Sequence, residues 1–255
     1  MNQFRKFLLL WSGDFISAIG SGLTSFGLGV YIFQQTGQVS YMALVTLLAF
    51  LPSLLLSVPA GVLADRYDRR LLMVIGDSFS AIGLLYILVC LTRGQAQVWQ
   101  ICAGVAVSSV FTSLLEPSYK ATITDLLTPE QYSKASGLVQ VAGSAKYLIS
   151  PILAGFLLTI SDIRLLLVLD IGTFFVTVTT TLAVRKGLPS KKTNQASSFV
   201  SEFKDGFRAV TGKKGVMTLV VMGSVVTLCL GIIQTLASPM ILSFTGSDTL
   251  GTLMT

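Results

Sequence analysis

The chain has 255 residues, of which 52% are hydrophobic and only 12% are charged, and its formal net charge is +6. A water-soluble domain carries roughly 25% charged residues, so this composition excludes an ordinary soluble fold and favours a chain that buries its surface in lipid. The sequence contains no histidine, which excludes histidine-based metal sites and histidine proton relays.

Seven apolar stretches are long enough to cross a bilayer, because a spanning helix needs about 20 mostly apolar residues. The first begins after Arg5 and Lys6 and is longer than the apolar core of a secretory signal, so we predict that it is retained as a span. The fold class predicted is an all-α membrane protein. The seven stretches are residues 7–33, 41–64, 71–92, 98–118, 135–160, 163–184 and 215–238.

Lysine and arginine are distributed unequally between the two sides of the predicted membrane. If the N-terminus is inside, the outer loops hold only Arg93 and Arg164, and Lys146 lies within a span. The positive-inside rule then predicts a cytoplasmic N-terminus and a multi-pass protein of the cell membrane. The inner set is Arg5, Lys6, Arg66, Arg69, Arg70, Lys120, Lys134, Arg185, Lys186, Lys191, Lys192, Lys204, Arg208, Lys213 and Lys214.

The longest inner segment, residues 185–214, is polar and basic. Within it, Phe199, Phe203, Phe207 and Val210 recur at helical spacing, which predicts an amphipathic helix lying on the membrane surface. The last residues are too few for another crossing, and we expect an outer loop and the start of an eighth helix. We therefore predict three regions: a six-helix bundle over residues 1–184, this linker, and a seventh helix with part of an eighth over residues 215–255.

The sequence has no pattern typical of an enzyme or a cofactor site. Cys90, Cys102 and Cys229 lie in or beside apolar runs without metal-site or disulfide spacing. A phosphate-binding Gly-x4-Gly-Lys-Ser/Thr loop is absent, so an ATP-driven pump is not predicted. We predict no cofactor and no nucleic-acid partner, because the basic residues fall between apolar runs, where they contact anionic lipid headgroups.

A charged decapeptide, residues 61–70, lies between the second and third apolar runs and predicts a tight turn at the inner membrane face. It resembles the signature loop between the second and third helices of the major facilitator superfamily. The matching positions are Gly61, Asp65, Arg66, Arg69 and Arg70, and Asp68 stands where the family usually has glycine. The resemblance implies a transporter with two six-helix halves, each built from two inverted three-helix repeats. It also gives this turn the role of an inner latch that closes and releases during transport.

The loop predicted after the fourth span, residues 116–130, together with Asp77 and Asp170, is similar to the macrolide-efflux branch of drug:proton antiporters. This similarity implies proton-coupled export of amphipathic small molecules, macrolide-like or siderophore-like, by alternating access. Lysophospholipid translocation is the alternative within transport. Outside transport, the alternative is an inactive or partner-dependent fragment that lacks a C-terminal half. A seven-helix receptor is a third possibility, which only the number of helices favours.

Charged residues inside the spans are the candidates for carrying protons and substrate, because a charge at the bilayer centre costs about 2.5–3.5 kcal/mol. Asp14 begins a polar stripe that continues through Ser17, Ser21 and Thr24 or Ser25 on one helical face. Asp14 itself either lines a pathway or is capped by its neighbours. Lys146 lies near the middle of the fifth span. We expect it to face water or to pair with Asp14 or Asp170, either as a switching pair or as a permanent structural one.

Asp170 is followed by threonines 173, 177 and 180 on one helical face, which is either a pathway wall or, as we favour, a packing surface. Asp77 is expected to pair with the arginines of residues 61–70 rather than to carry protons. Glu116, at an inner helix end, is a second-tier candidate. Pro151 is another, since Ser150-Pro151 resembles the Gly-Pro signature of antiporters and forms either a bendable element or an ordinary kink.

Overall fold

The computed structural model describes residues 3–94, 96–185, 208, 211–212 and 214–242, and no strand occurs among them. Helices α4 and α5 follow one another across a two-residue break and form one membrane-length segment. Seven segments are therefore long and apolar enough to cross a membrane, which confirms the all-α membrane fold. The helices are α1 (Gln3–Thr36), α2 (Val39–Arg66), α3 (Arg69–Thr92), α4 (Val98–Thr112), α5 (Leu115–Leu126), α6 (Pro129–Ile160), α7 (Ile163–Arg185) and α8 (Lys214–Leu242).

The turn predicted over residues 61–70 is much shorter in the structure. Helix α2 continues to Arg66, and only Tyr67 and Asp68 separate it from α3. The Asp68 carboxylate accepts a hydrogen bond from the backbone N–H of Arg70 at 3.0 Å and so caps α3. The φ angle of Asp68 is −62°, so this turn does not require the glycine found in related sequences.

The prediction of a loop over residues 116–130 is wrong, because most of these residues belong to helix α5. Pro117 lies in the first turn of α5, where its missing N–H removes no helical hydrogen bond. Only Leu127 and Thr128 then connect α5 to α6. The next helix begins at once because Thr128 caps it and Pro129 occupies its first position, as is favoured at helix N-termini.

Helix α1 packs closely along both α6 and α7, and two of its glycines make that approach possible. A β-carbon at Gly20 would lie 2.9 Å from a carboxylate oxygen of Asp170, and one at Gly22 would lie 2.9 Å from the backbone oxygen of Lys146. A larger residue at either position therefore has no space. These contacts bring the α6 and α7 backbones that carry Lys146 and Asp170 against the same stretch of α1.

The threonines on α7 serve this packing, as we favoured from the sequence. The Thr177 hydroxyl donates to the backbone oxygens of Gly13, at 3.4 Å, and Thr173, at 3.2 Å. The Thr173 hydroxyl donates to the Asp170 backbone oxygen at 2.7 Å. Small hydroxyl side chains of this kind permit close helix contact in a membrane while satisfying their own polar groups.

The described side chains of α8 are all exposed, in contrast to those of α1 to α7. The surface helix predicted from Phe199, Phe203, Phe207 and Val210 lies outside the described residues, as does most of the predicted linker. The same holds for residues 243–255. Residues 239–242, which we expected to begin an outer loop, belong to α8.

A proline in α2 is compensated by a serine from α4. Pro52 has no N–H, so the carbonyl of Leu48, one turn earlier, lacks its usual helical donor. The Ser109 hydroxyl donates to that carbonyl at 2.9 Å. In the membrane interior no water replaces a missing partner, and neighbouring hydroxyls take that role.

We expect Ser109→Ala to destabilise the protein by roughly 1 kcal/mol, because it leaves the Leu48 carbonyl without a donor. The loss should be smaller in a Pro52→Ala background, where the helix regains its own N–H. Thermal unfolding of the two single variants and the double variant measures this coupling. Ser57→Ala is the control, since the Ser57 hydroxyl bonds within its own helix. Equal losses in both backgrounds would contradict the account.

Candidate functional site

Arg69, the first residue of α3, joins three helices at the end of the bundle where α2 finishes; we call this the basic end. Its Nε donates to the Ala64 backbone oxygen in α2 at 3.0 Å, and its Nη1 donates to the Ala121 backbone oxygen in α5 at 2.9 Å. The guanidinium also pairs with Asp65 of α2, at 3.4 Å, and with Asp125 of α5. A planar guanidinium supports such a set of directional contacts.

Asp125 is a member of this cluster that the sequence reading missed. We expected a loop there, and the direction in which a loop side chain points cannot be predicted from helical spacing. The available signal was its position: it is a carboxylate near the end of a membrane-length segment, on the same side of the membrane as the arginine-rich turn. Of the residues in the predicted latch motif, Asp65 and Arg69 belong to this cluster. Arg66 is exposed, as Asp65 is, and a β-carbon on Gly61 would contact nothing within 4 Å. The Arg70 side chain is half-buried.

A cavity of about 270 Å³ is lined by α1, α2, α4, α6 and α7 and by one residue of α3, Leu84. Its lining combines hydroxyl groups with apolar and aromatic surface, and it holds two residues of opposite charge, Lys146 and Asp170. The predicted stripe on α1 contributes Ser21, Thr24 and Ser25 to the wall. Asp14 and Ser17, the first members of that stripe, are not part of the lining. The other polar lining residues are Thr46, Ser108, Ser109, Thr112 and Tyr147.

Asp170 is only 1% exposed, and its carboxylate accepts a hydrogen bond from the Ser21 hydroxyl at 3.4 Å. Lys146 is half-buried and is close enough to Asp170 and Asp14 to interact electrostatically with both. Within the described part of the chain, Lys146 has no carboxylate oxygen within 4.0 Å. The permanent ion pair that we considered is therefore not formed in this conformation, because the lysine lines the cavity.

Asp14 is half-buried on α1 and lies toward the basic end from the cavity. Its electrostatic neighbours include Glu116, Lys146, Asp77 and Tyr119. Glu116 itself forms an exposed pair with Lys120, one turn along α5, at 2.6 Å. Surface pairs of this kind contribute little to stability, so Glu116 has no structural role that depends on the pair.

The pairing predicted between Asp77 and the arginines of residues 61–70 is wrong. Asp77 is 1% exposed, and neither of its carboxylate oxygens has a hydrogen-bond partner. It lies eight residues after Arg69, which is roughly 12 Å along the helix axis. The Arg69 side chain is directed toward α2 and α5 instead.

Ser150 and Pro151 lie where α6 contacts α1. The Ser150 hydroxyl donates to the Ile19 backbone oxygen at 3.0 Å, and α6 is continuous through Pro151. Ser150 stands where the Gly-Pro signature has glycine, and unlike glycine it donates a side-chain hydrogen bond to the neighbouring helix. This contact fixes the axial position of α6 relative to α1. It thereby also positions Lys146, which lies one turn before Ser150 on α6.

The sequence profile of the Major Facilitator Superfamily matches residues 10–254. The chain belongs to the major facilitator superfamily. The seven membrane-length segments agree with a multi-pass membrane protein of this superfamily.

Curated relatives of this superfamily member include two proteins named for macrolide efflux. Macrolide efflux protein A of Streptococcus pyogenes is 26% identical over 225 residues, which cover 88% of this chain and 55% of that protein. The protein of the same name from Enterococcus faecalis is 26% identical over 181 residues, which cover 70% of this chain and 56% of that protein. The MFS-type transporter YfiS of Bacillus subtilis (strain 168) is 23% identical over 250 residues, which cover 95% of this chain and 58% of that protein. The chain spans about half the length of these curated relatives.

Solved structures of peptide transporters have a similar fold. The crystal structure of the peptide transporter POT in complex with sulfate matches with a TM-score of 0.62 at 15% sequence identity. The match covers 92% of this chain and 49% of that one. At this identity the likeness concerns the fold alone.

We expect Arg69→Ala to destabilise this superfamily member more than Asp65→Asn or Asp125→Asn does. The arginine variant loses two ion pairs and two hydrogen bonds to backbone oxygens, whereas each aspartate variant loses one pair. A partly exposed pair contributes about 0.2–1 kcal/mol, so the aspartate effects should be small.

Thermal unfolding in detergent, at low and high salt, measures the three variants. Lys120→Ala is the control, because it removes an exposed pair that joins only neighbouring turns of α5. A loss for Arg69→Ala no greater than that for Lys120→Ala would contradict the role of Arg69 in joining α2, α3 and α5.

Proposed function

We propose that this protein exports amphipathic small molecules, such as macrolides, from the cell in exchange for protons, by alternating access, with its N-terminus in the cytoplasm. The observation that carries the proposal is the cavity that Asp170 and Lys146 share. Its wall combines apolar and aromatic surface for the body of a substrate with hydroxyls for the polar groups of that substrate. The similarity to macrolide efflux proteins supports the substrate class.

The two charged residues of the cavity provide a means of coupling. While Asp170 is ionised, it offsets the charge of Lys146, and the cavity accepts a cationic molecule. When Asp170 binds a proton, the lysine is uncompensated and repels the same molecule. Proton and cationic substrate therefore bind in turn rather than together, as antiport requires. Asp14, which lies on α1 toward the basic end, is proposed to pass protons between that end and the cavity.

The Arg69 cluster is proposed to act as the latch. It joins the ends of α2 and α3 to α5, so it stabilises a conformation in which these helix ends stay together at the cytoplasmic side. Opening of that side breaks the contacts of Arg69 with Asp125 and Ala121, which lie on α5. The remaining partners of Arg69, Asp65 and Ala64, are within a few residues of it in the chain and move with it.

The experiment that tests the export proposal is uptake of a labelled macrolide by everted membrane vesicles from cells that produce this chain. We expect uptake that depends on the proton gradient and is abolished by a protonophore. Vesicles from cells without the chain are the control. Macrolide uptake that survives the protonophore would contradict proton coupling. Transfer of labelled lysophospholipid without macrolide uptake would favour the lipid alternative.

Asp170→Asn is expected to reduce gradient-driven macrolide uptake at least tenfold, because the variant cannot exchange a proton at the cavity. Asp162→Asn is the matched control, since Asp162 lies in the connection between α6 and α7 and pairs with Arg164 at 3.5 Å. Membrane content of both variants is measured in the same vesicles. Normal uptake by well-produced Asp170→Asn protein would contradict the coupling role.

Asp65→Asn is expected to impair transport with little loss of membrane insertion, because it weakens the latch without changing a spanning segment. Vesicle uptake and the amount of inserted protein are measured together. Glu116→Gln removes a carboxylate from an exposed pair at the same end of the bundle and serves as the control. The latch role fails if Asp65→Asn protein transports as well as the control variant.

We propose further that residues 1–184 form one half of the transporter, residues 185–214 a linker, and residues 215–255 the beginning of a second half. The exposure of the described α8 side chains and the length of the curated relatives support this division. The mass of the protein in its native membranes tests it. A species heavier than the 27.2 kDa of this sequence is expected. A 27 kDa species without transport would favour an inactive or partner-dependent chain.

A further inference from the structure

A carboxyl group in α3 lies buried without any hydrogen-bond partner. Both oxygens of Asp77 lack a partner, and the residue is 1% exposed. The Ser80 hydroxyl, three residues further along α3, donates to the Asp77 backbone oxygen at 2.9 Å rather than to the carboxyl group. Native proteins pair almost all of their buried polar groups, so such an exception calls for a physical explanation.

The ionised form of Asp77 is poorly supported at this position. An isolated carboxylate in an apolar interior is so costly that the group takes up a proton instead. The structure offers no cation in compensation: among the described residues, no lysine or arginine nitrogen lies within 4.0 Å of Asp77. On the side of α4 and α5, the adjacent residue Gly76 meets the Leu115 side chain and the Phe111 backbone oxygen, which carry no charge.

The charged groups that face Asp77 from the other helices are also acidic. They are Asp14 from α1 and Asp170 from α7. Lys146 from α6 interacts with those two carboxylates. If all three aspartates were ionised, one lysine would leave two negative charges uncompensated inside the bundle. A proton on Asp77 removes the charge that has the least support, because Asp170 has the Ser21 hydroxyl and Asp14 is half-buried.

Helix α5 also packs against α3, but its one basic residue, Lys120, forms no ion pair with Asp77. The Tyr119 hydroxyl and the Ser118 hydroxyl are buried without partners, and Tyr119 interacts electrostatically with Asp14. Lys120, the basic residue that follows them, forms its exposed pair with Glu116. Among the described residues, the charged groups that interact with Asp77 are therefore the carboxylates of Asp14 and Asp170.

We propose that Asp77 is a proton-binding group of this transporter, a neutral carboxylic acid in the conformation described here, which releases its proton when the basic end opens to water. It lies outside the lining of the cavity that contains Asp170, so it forms a second proton site between that cavity and the basic end. Its part in export rests on the proposed function, whereas its protonation does not.

Infrared spectroscopy of the protein in lipid bilayers tests the protonation directly. A protonated carboxyl group has a carbonyl stretch that an ionised one lacks. We expect this band in the wild-type protein at neutral pH, its loss in Asp77→Asn, and its persistence in Asp170→Asn and in the exposed control Asp162→Asn. In Asp77→Glu the band should be retained at a shifted frequency, which keeps the assignment testable if the asparagine variant fails to accumulate.

Two results would overturn the proposal. One is an unchanged carbonyl band in Asp77→Asn, which would mean that another group carries it. The other is a band that appears only when sodium is withdrawn, which would mean that the Asp77 carboxylate binds a cation instead of a proton. Asparagine resembles neutral aspartic acid in size and polarity, so we expect the melting temperature of Asp77→Asn to stay close to that of the wild type.

Vesicle uptake of a labelled macrolide separates this inference from the export proposal. If wild-type vesicles transport and Asp77→Asn vesicles lose protonophore-sensitive uptake, both are supported. An infrared band that depends on Asp77 without macrolide transport supports the proton site and contradicts the export proposal. Proton-driven transport without such a band supports export and overturns the role of Asp77.

Discussion

The central physical constraint on this structure is the cost of placing charge inside an apolar helical bundle. The surrounding lipid supplies no hydrogen bonds, so every polar group depends on another part of the chain. At the basic end the constraint is met directly, since Arg69 bonds two carboxylates and two backbone oxygens. In the middle of the bundle it is met only in part, because Lys146 faces a cavity and Asp77 has no partner. The incompletely compensated groups are the ones to which we assign transport.

The position of these groups depends on how closely the helices pack. Gly20 and Gly22 let α1 lie against α7 and α6, and the Ser150 hydroxyl bonds α6 to the α1 backbone. Asp170 and Lys146 therefore approach from two helices toward one polar stretch of a third. Leucine in place of either glycine would separate these helices and so change the cavity, although neither glycine carries a polar group of its own. Packing and site chemistry are linked through α1.

Much of the fold followed from the sequence because it depends on local properties. Apolar length determined the spans, and the charged segment around Arg69 marked the end of α2 to within a few residues. The prediction of a loop over residues 116–130 was wrong for a local reason too, because a polar stretch that contains proline is typical of a loop. Here Pro117 lies in the first helical turn, where proline is tolerated. Helical spacing also placed Ser21 on the face of α1 that lines the cavity, although the predicted stripe extended beyond the lining to Asp14.

The parts that sequence reasoning missed depend on contacts between distant segments. Nothing local indicated that Asp125 would meet Arg69, 56 residues away. Asp77 was assigned to the nearby arginines because nearness in sequence was the only guide, whereas the structure places its carboxyl group deeper in the bundle. The packing of α1 against α7 decides which aspartates face one another, and that packing depends on small residues whose sequence signal is weak.

The central claim is that carboxyl groups within this bundle exchange protons against substrate. The most direct test is the number of protons released when a macrolide binds to the protein in weakly buffered solution. The account predicts proton release on binding by the wild type. In Asp170→Asn it predicts weaker binding without proton release, because the neutral side chain leaves the charge of Lys146 uncompensated. Macrolide binding to the wild type without any proton release would contradict the claim.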